Sequence, residues 1–149
     1  MRAVVQRVRE AQVAVDGELT GRIGPGMVVL LGIGREDDQE AVKFLADKVL
    51  GLRIFEDGDR AMNLSIAEVG GQVLLVSQFT LYGDCRQGRR PSFVEAAPPR
   101  EAEVLYRRFA DELRASGFAP QEGVFGARMH LSLVNDGPVT MLLDSERRF

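Results

Sequence analysis

The chain has 149 residues, 45% apolar and 28% charged, the proportions of one globular domain able to bury a core without disulfide or metal staples. A formal net charge of −3 argues against wholesale coating of nucleic acid. No apolar run approaches bilayer length, and Arg2, Arg7, Arg9 and Glu10 break up any secretory leader, so no membrane contact and a cytoplasmic location are expected.

Cys85 and His130 are the only cysteine and histidine, 45 residues apart, which excludes an internal disulfide and an unaided structural zinc site. Neither metal nor cofactor is expected, and an incidental thiol accounts for Cys85 better than a Cys-His dyad does. Arginine supplies 17 of the 19 basic residues, in clusters at Arg86-Arg89-Arg90, Arg107-Arg108 and Arg147-Arg148. Its planar fork suits phosphate, although GC-rich coding or thermal adaptation produces the same bias.

In chain order, residues 2–8 and 11–15 read as strands joined near Arg9-Glu10, and Asp16-Gly17 turns the chain into a strand from Leu19 to Ile23. Gly24-Pro25-Gly26 precedes a buried strand, Met27 to Ile33. Asp37 or Asp38 caps a helix with Val42, Phe44, Leu45 and Val49 as its apolar stripe, ending near Gly51. Leu52 to Phe55 reads as a strand, Asp57-Gly58 as a turn, and Gly70-Gly71 leads into the apolar run Val73 to Val76. Residues 83–92 read as a mobile surface loop. A second helix opens at Pro98-Pro99 with Ala102, Leu105, Phe109 and Leu113 on one face, and Ser116-Gly117 stops it. Strands at 123–134 and 138–144 flank Gly137-Pro138. About eight strands and two main helices, without internal repeats, predict a single α+β domain with a mostly antiparallel, curved or barrel-like sheet.

Two short segments about sixty residues apart stand out: Ser77-Gln78-Phe79-Thr80-Leu81 and Asn135-Asp136-Gly137-Pro138-Val139-Thr140. The first is either the end of a core strand or a site whose backbone N–H groups, around Gln78 and Phe79, face a developing oxyanion. Thr80 is the obvious hydroxyl nucleophile and Ser77 the next, but the motif holds no histidine to accept a proton. The second segment, rich in turn formers, reads as an ordinary hairpin turn or as something more specialised.

Together with Met1-Arg2-Ala3-Val4-Val5-Gln6-Arg7-Val8, Met62-Asn63-Leu64-Ser65, Arg90-Pro91-Ser92-Phe93 and Phe125-Gly126-Ala127, these segments resemble the D-aminoacyl-tRNA deacylases. Those enzymes hydrolyse the ester joining a D-amino acid to tRNA. The resemblance implies a homodimer whose partner is the 3′ end of aminoacyl-tRNA, with Ser77, Gln78, Phe79 and Thr80 at the catalytic centre. It implies help from the terminal ribose hydroxyl, and a cis Gly137-Pro138 whose carbonyls reach the opposite subunit's site and exclude L side chains. Many D-amino acids, and glycine, should then be accepted. The resemblance also places Arg7 as a clamp on the Gly-Pro segment, and Ala102, Phe125 and Met129 around the terminal adenosine. Strand exposure for Arg7 and core packing for the other three are the plainer readings. Arg89 and Arg128 depart from the common family pattern. The rival functions are a Thr80-nucleophile esterase and a non-catalytic nucleic-acid-binding module.

Overall fold

The computed structural model describes residues 1–148, apart from the side chain of Ala61. β1 (Arg2–Val15) runs for 14 residues without the break expected at Arg9-Glu10. It borders three other strands. Residues 2–8 pair with β3 (Gly26–Gly32), residues 11–15 with β2 (Glu18–Ile23), and nearly its whole other side with β8 (Met129–Asp144), all antiparallel. β6 (Gln72–Ser77) adds to β3 in parallel, and the two-residue β7 (Gln121–Glu122) adds to β6. The sheet order is therefore β2-β1-β3-β6-β7, with β8 on the other side of β1. Antiparallel pairs predominate, as expected, but the β3-β6-β7 run makes the sheet mixed.

Burial explains why β3 and β6 are almost continuously apolar: they are covered on both faces. Met27, Val29, Leu31, Val73 and Leu75 face one core, while Val28, Leu74 and Val76 face another. α1 (Gln39–Leu50) and α3 (Pro99–Ala115) cover the first core with Val42, Leu45, Val49, Ala102, Phe109 and Leu113. The second lies inside the curl of the sheet. Leu74 of β6 reaches β2, where a β-carbon on Gly21 would sit 2.9 Å from the Glu122 carbonyl oxygen and 3.1 Å from Leu74. Only glycine allows β2 and β7 to approach this closely, and their approach nearly closes a barrel.

β1 serves both cores by changing parity. Ala3 and Val5 enter the first, whereas Val8, Ala11 and Val13 enter the second. A register shift against β8 between Val8 and Glu10 makes the change possible.

The capped helix is as expected: the Asp38 carboxylate accepts from the N–H groups of Glu40 and Ala41 at 3.0 and 2.9 Å. Phe44 is not on its buried face; it lies half-exposed under Lys48 and Arg147, and Ala46 completes the stripe. Leu52 to Ile54 form no strand. Instead β4 (Phe55–Asp57) and β5 (Arg60–Leu64) make a separate hairpin, followed by the one-turn α2 (Ile66–Val69). The strand expected from residue 123 begins only at Met129 and then runs through Gly137-Pro138 to Asp144. Among the described residues no helix is long and apolar enough to cross a membrane.

Candidate functional site

At the end of β6, Ser77 is half-buried and stands opposite Leu31. The ladder continues one residue further, because the Gln78 N–H donates to the Leu31 carbonyl at 2.8 Å. Gln78 therefore cannot offer its backbone donor to a substrate, contrary to one of the two donors expected. The chain then winds into a 3₁₀ turn, Phe79–Tyr82, closed by the Leu81 N–H on Gln78 O and the Gly83 N–H on Thr80 O. The opening N–H groups of such a turn, those of Phe79 and Thr80, have no acceptor within it. Both residues are exposed, Phe79 at 59%. The Gln78 side-chain amide donates to the Thr80 hydroxyl oxygen.

That turn is braced from behind by residues to which the sequence assigned no role. The Arg2 guanidinium donates to the Leu81 carbonyl at 3.0 Å and to Asp144 at 3.1 Å, and lies 4.3 Å over the Tyr82 ring. The Tyr82 hydroxyl donates to Asp37 at 3.3 Å. Burial, then the nearby Asp37 charge, pushes the Tyr82 phenol up from its ordinary range. Asp37 also receives the Gly34 N–H at 2.6 Å and the Met1 ammonium. A groove of about 510 Å³ opens beside the turn, lined in part by Arg2, Tyr82, Arg86 and Arg148.

His130 stands opposite Ala14, whereas Ser77 is level with Ala3 through Leu31. Eleven residues of β1 separate these levels, about 36 Å of extended chain. His130 is therefore no base for Thr80 or Ser77 of its own chain.

Gly137-Pro138 is not a hairpin turn. Asn135 pairs with Val8 and Thr140 with Gln6, so both flanks lie on the same strand. Asp136 to Val139 are looped out opposite the single residue Arg7. Proline has no N–H to give a ladder, which is why the segment leaves the sheet as a bulge. The Gly137-Pro138 peptide bond is cis, and both residues are exposed. Asn135 holds the base of the bulge, accepting from the Val139 N–H at 2.8 Å and donating to the Thr140 hydroxyl at 3.0 Å. Val139, 4% exposed, anchors it in the core.

Arg7, only 5% exposed, lies beneath this bulge. Its Nε donates to the Asp136 carbonyl at 2.9 Å, its Nη1 to the Ile54 carbonyl at 2.7 Å, and its Nη2 pairs with Glu56 at 3.3 Å. The plainer expectation of a solvated strand arginine does not hold. A guanidinium fills this place because its fork spans two carbonyls from different segments.

Ala102 and Phe125 come together through Tyr106, one helical turn after Ala102. Its ring lies 5.5 Å from that of Phe125, and its hydroxyl donates to the Leu75 carbonyl at 3.1 Å, two residues before Ser77. Met129 packs mainly against the second core and is linked to this group through the 123–128 loop.

The chain as a whole is similar to known proteins. The family model described as D-Tyr-tRNA(Tyr) deacylase matches residues 4–144. A protein named D-aminoacyl-tRNA deacylase from Symbiobacterium thermophilum is 61% identical over 149 residues, covering 100% of this chain and 99% of that one. Another of that name, from Thermotoga petrophila, is 58% identical over both full lengths. A solved structure described as a c-Myc DNA unwinding element binding protein superposes with a TM-score of 0.91 at 42% identity, covering 97% of this chain and 98% of its own. By its match along residues 4–144 and by relatives more than half identical from end to end, the chain belongs to the D-Tyr-tRNA(Tyr) deacylase family.

Proposed function

We propose that this protein hydrolyses the ester of D-aminoacyl-tRNA, and of mischarged glycyl-tRNA, in the cytoplasm as a homodimer, and so removes the wrong stereoisomer before translation uses it. The chain is a D-aminoacyl-tRNA deacylase, an ester hydrolase. The observation that carries the mechanism is the opening of the Phe79–Tyr82 turn, where Phe79 and Thr80 are exposed and His130 of the same chain lies far along the sheet.

An aminoacyl ester is already activated, so the protein need only orient it and stabilise the charge that develops on its carbonyl oxygen. The Phe79 and Thr80 N–H groups suit that oxygen. A single such donor contributes about 2.7–4 kcal/mol to transition-state stabilisation. Water adds to the carbonyl carbon, the bond to the ribose oxygen breaks, and that oxygen leaves with a proton. The vicinal ribose hydroxyl of the terminal adenosine orients the water, a task that His130 of the same chain is too far away to perform.

Chirality is read by Gly137-Pro138 of the partner subunit. Within one chain the bulge lies level with Arg7 and the turn's strand level with Ala3, about 13 Å apart along the strands with three strand spacings between them. A chain's own bulge does not reach its own turn; a second copy's can. β8 supports this arrangement, since its 16 residues pair on one side only, with β1. With the ester carbonyl and the α-amine fixed, an L side chain meets the wedge, a D side chain points to solvent and glycine presents nothing to exclude. Ala102, Phe125 and Met129 hold the adenosine.

The test follows ester loss from D-tyrosyl-, L-tyrosyl- and glycyl-tRNA. The first and third should be cleaved and the second spared. A D-tyrosyl-tRNA lacking the vicinal hydroxyl should react at least about 100-fold more slowly, the low end of what a positioned general acid or base contributes. Rapid cleavage of that analogue would remove the ribose from the mechanism. A second reading, non-catalytic nucleic-acid binding, is favoured by the name of the solved relative; under it no ester is lost.

A further inference from the structure

Phe79 and Phe93 form an edge-to-face pair with centroids 5.0 Å apart, and the Phe79 ring remains 59% exposed at the first residue of the turn. The Phe93 ring packs at Gly83, which lines the groove of about 510 Å³. Between Gly83 and Phe93 the loop carries three arginines against one aspartate, a local excess of positive charge on a chain of net charge −3. Arg86 is held by Asp84 through contacts of 2.9 and 2.7 Å. Arg89 and Arg90, both exposed, make no side-chain hydrogen bond or ion pair among the described residues.

An exposed aromatic pair on the loop that carries two unpaired guanidinium groups, next to a groove where Arg2, Arg86 and Arg148 outnumber Asp84 and Glu95, offers what a single nucleic-acid strand requires: rings to stack bases and forks to hold phosphates. We propose that Phe79 and Phe93, with Arg89, Arg90 and the groove lined by Arg2, Arg86 and Arg148, form the docking track for the unpaired 3′ strand of the tRNA. One base stacks on Phe79, and the phosphates follow the 83–93 loop into the groove. This rests on the proposed function and adds how the nucleic acid is gripped. Arg89, where the chain departs from the common family pattern, would then be an additional phosphate contact.

The experiment measures binding of an uncharged RNA minihelix ending in an unpaired CCA strand, so that it does not depend on ester hydrolysis. In about 0.1 M salt, Arg89→Ser/Arg90→Ser should weaken binding about tenfold. It should also reduce the magnitude of the log K against log salt slope by about 1.4, at about 0.7 per single-strand phosphate contact. Phe79→Ala should weaken binding at least about fivefold, the lower limit of a lost base stack. On charged D-tyrosyl-tRNA Arg89→Ser/Arg90→Ser should raise KM and leave kcat within about twofold, and it should cleave an aminoacyl-adenosine ester lacking phosphates as the parent does. Unchanged minihelix binding, or tighter binding of single-stranded DNA of equal length, would overturn the track. Loss of activity on the phosphate-free ester would also overturn it. If the parent binds the minihelix but leaves D-tyrosyl-tRNA intact, the proposed function fails while the track stands.

Discussion

Arg7 shows how much depends on one buried cation. Its donors hold the Asp136 carbonyl, 129 residues away in sequence, and the Ile54 carbonyl in a different segment. Arg7→Lys keeps the charge and loses the fork, leaving at least one carbonyl unpaired at a cost of about 1–3 kcal/mol. A urea melt should show this loss, and discrimination against L-tyrosyl-tRNA should fall with it. Thr80 provides the opposite test. If backbone donors and the substrate's ribose carry the reaction, Thr80→Ala keeps kcat within a few fold; loss of turnover would restore the nucleophile. The chain's two tyrosines, Tyr82 and Tyr106, both have phenols pushed up, mainly by burial. Their folded pKa values lie above the unfolded value near 10, so the stability they contribute is present below about pH 10 and is lost as pH rises beyond it. Absorbance of phenolate should therefore appear only as the protein unfolds in alkali, and Tyr106→Phe should lessen the alkaline decline in stability.

At the scale of the elements, the bulge of β8 is the most specific device in the fold. Gly137 has φ 132°, and a β-carbon there would sit 2.7 Å from Val139 Cγ2 and 3.1 Å from Arg7 Nη2. Gly137→Ala should cost about 1–3 kcal/mol and displace the bulge, so L-tyrosyl-tRNA should begin to be cleaved as D-cleavage slows. Much of the rest was legible beforehand. Val42, Leu45 and Val49 recur at helical spacing after an aspartate cap, and alternation or unbroken apolar runs marked β2, β3 and β6. The bulge was not legible, because a Gly-Pro between two apolar runs looks the same whether its flanks pair with each other or with a third strand. That choice depends on register against β1, which is a tertiary matter. Arg7 was named through the family likeness and not from its own pattern, for a similar reason: main-chain carbonyls carry no mark in a sequence. Arg2 and Tyr82 escaped because the turn they brace is visible only once β3 and β6 lie side by side. The 77–81 segment itself was found by its likeness to a family, and pattern alone would have left it a core strand.

For the whole molecule, the open side of β8 is the feature that the proposed pairing of two copies would use. A 16-residue strand with one free edge is an invitation to association, and Val134 and Leu142 are exposed along it, at 47% and 58%. Sedimentation should find a pair at micromolar concentration. Val134→Lys/Leu142→Lys should yield monomers that fold but lose chiral discrimination together with most of their turnover. β1 gives that pairing a further consequence. Arg2 steadies the turn and Arg7 steadies the bulge, five positions apart on one rod. In a two-fold pair each rod would serve the cleft at home and the stereochemical gate next door. A lesion in one β1 would then cripple both catalytic centres of its pair, so a cell making sound and damaged chains together would lose more proofreading than the damaged fraction alone suggests.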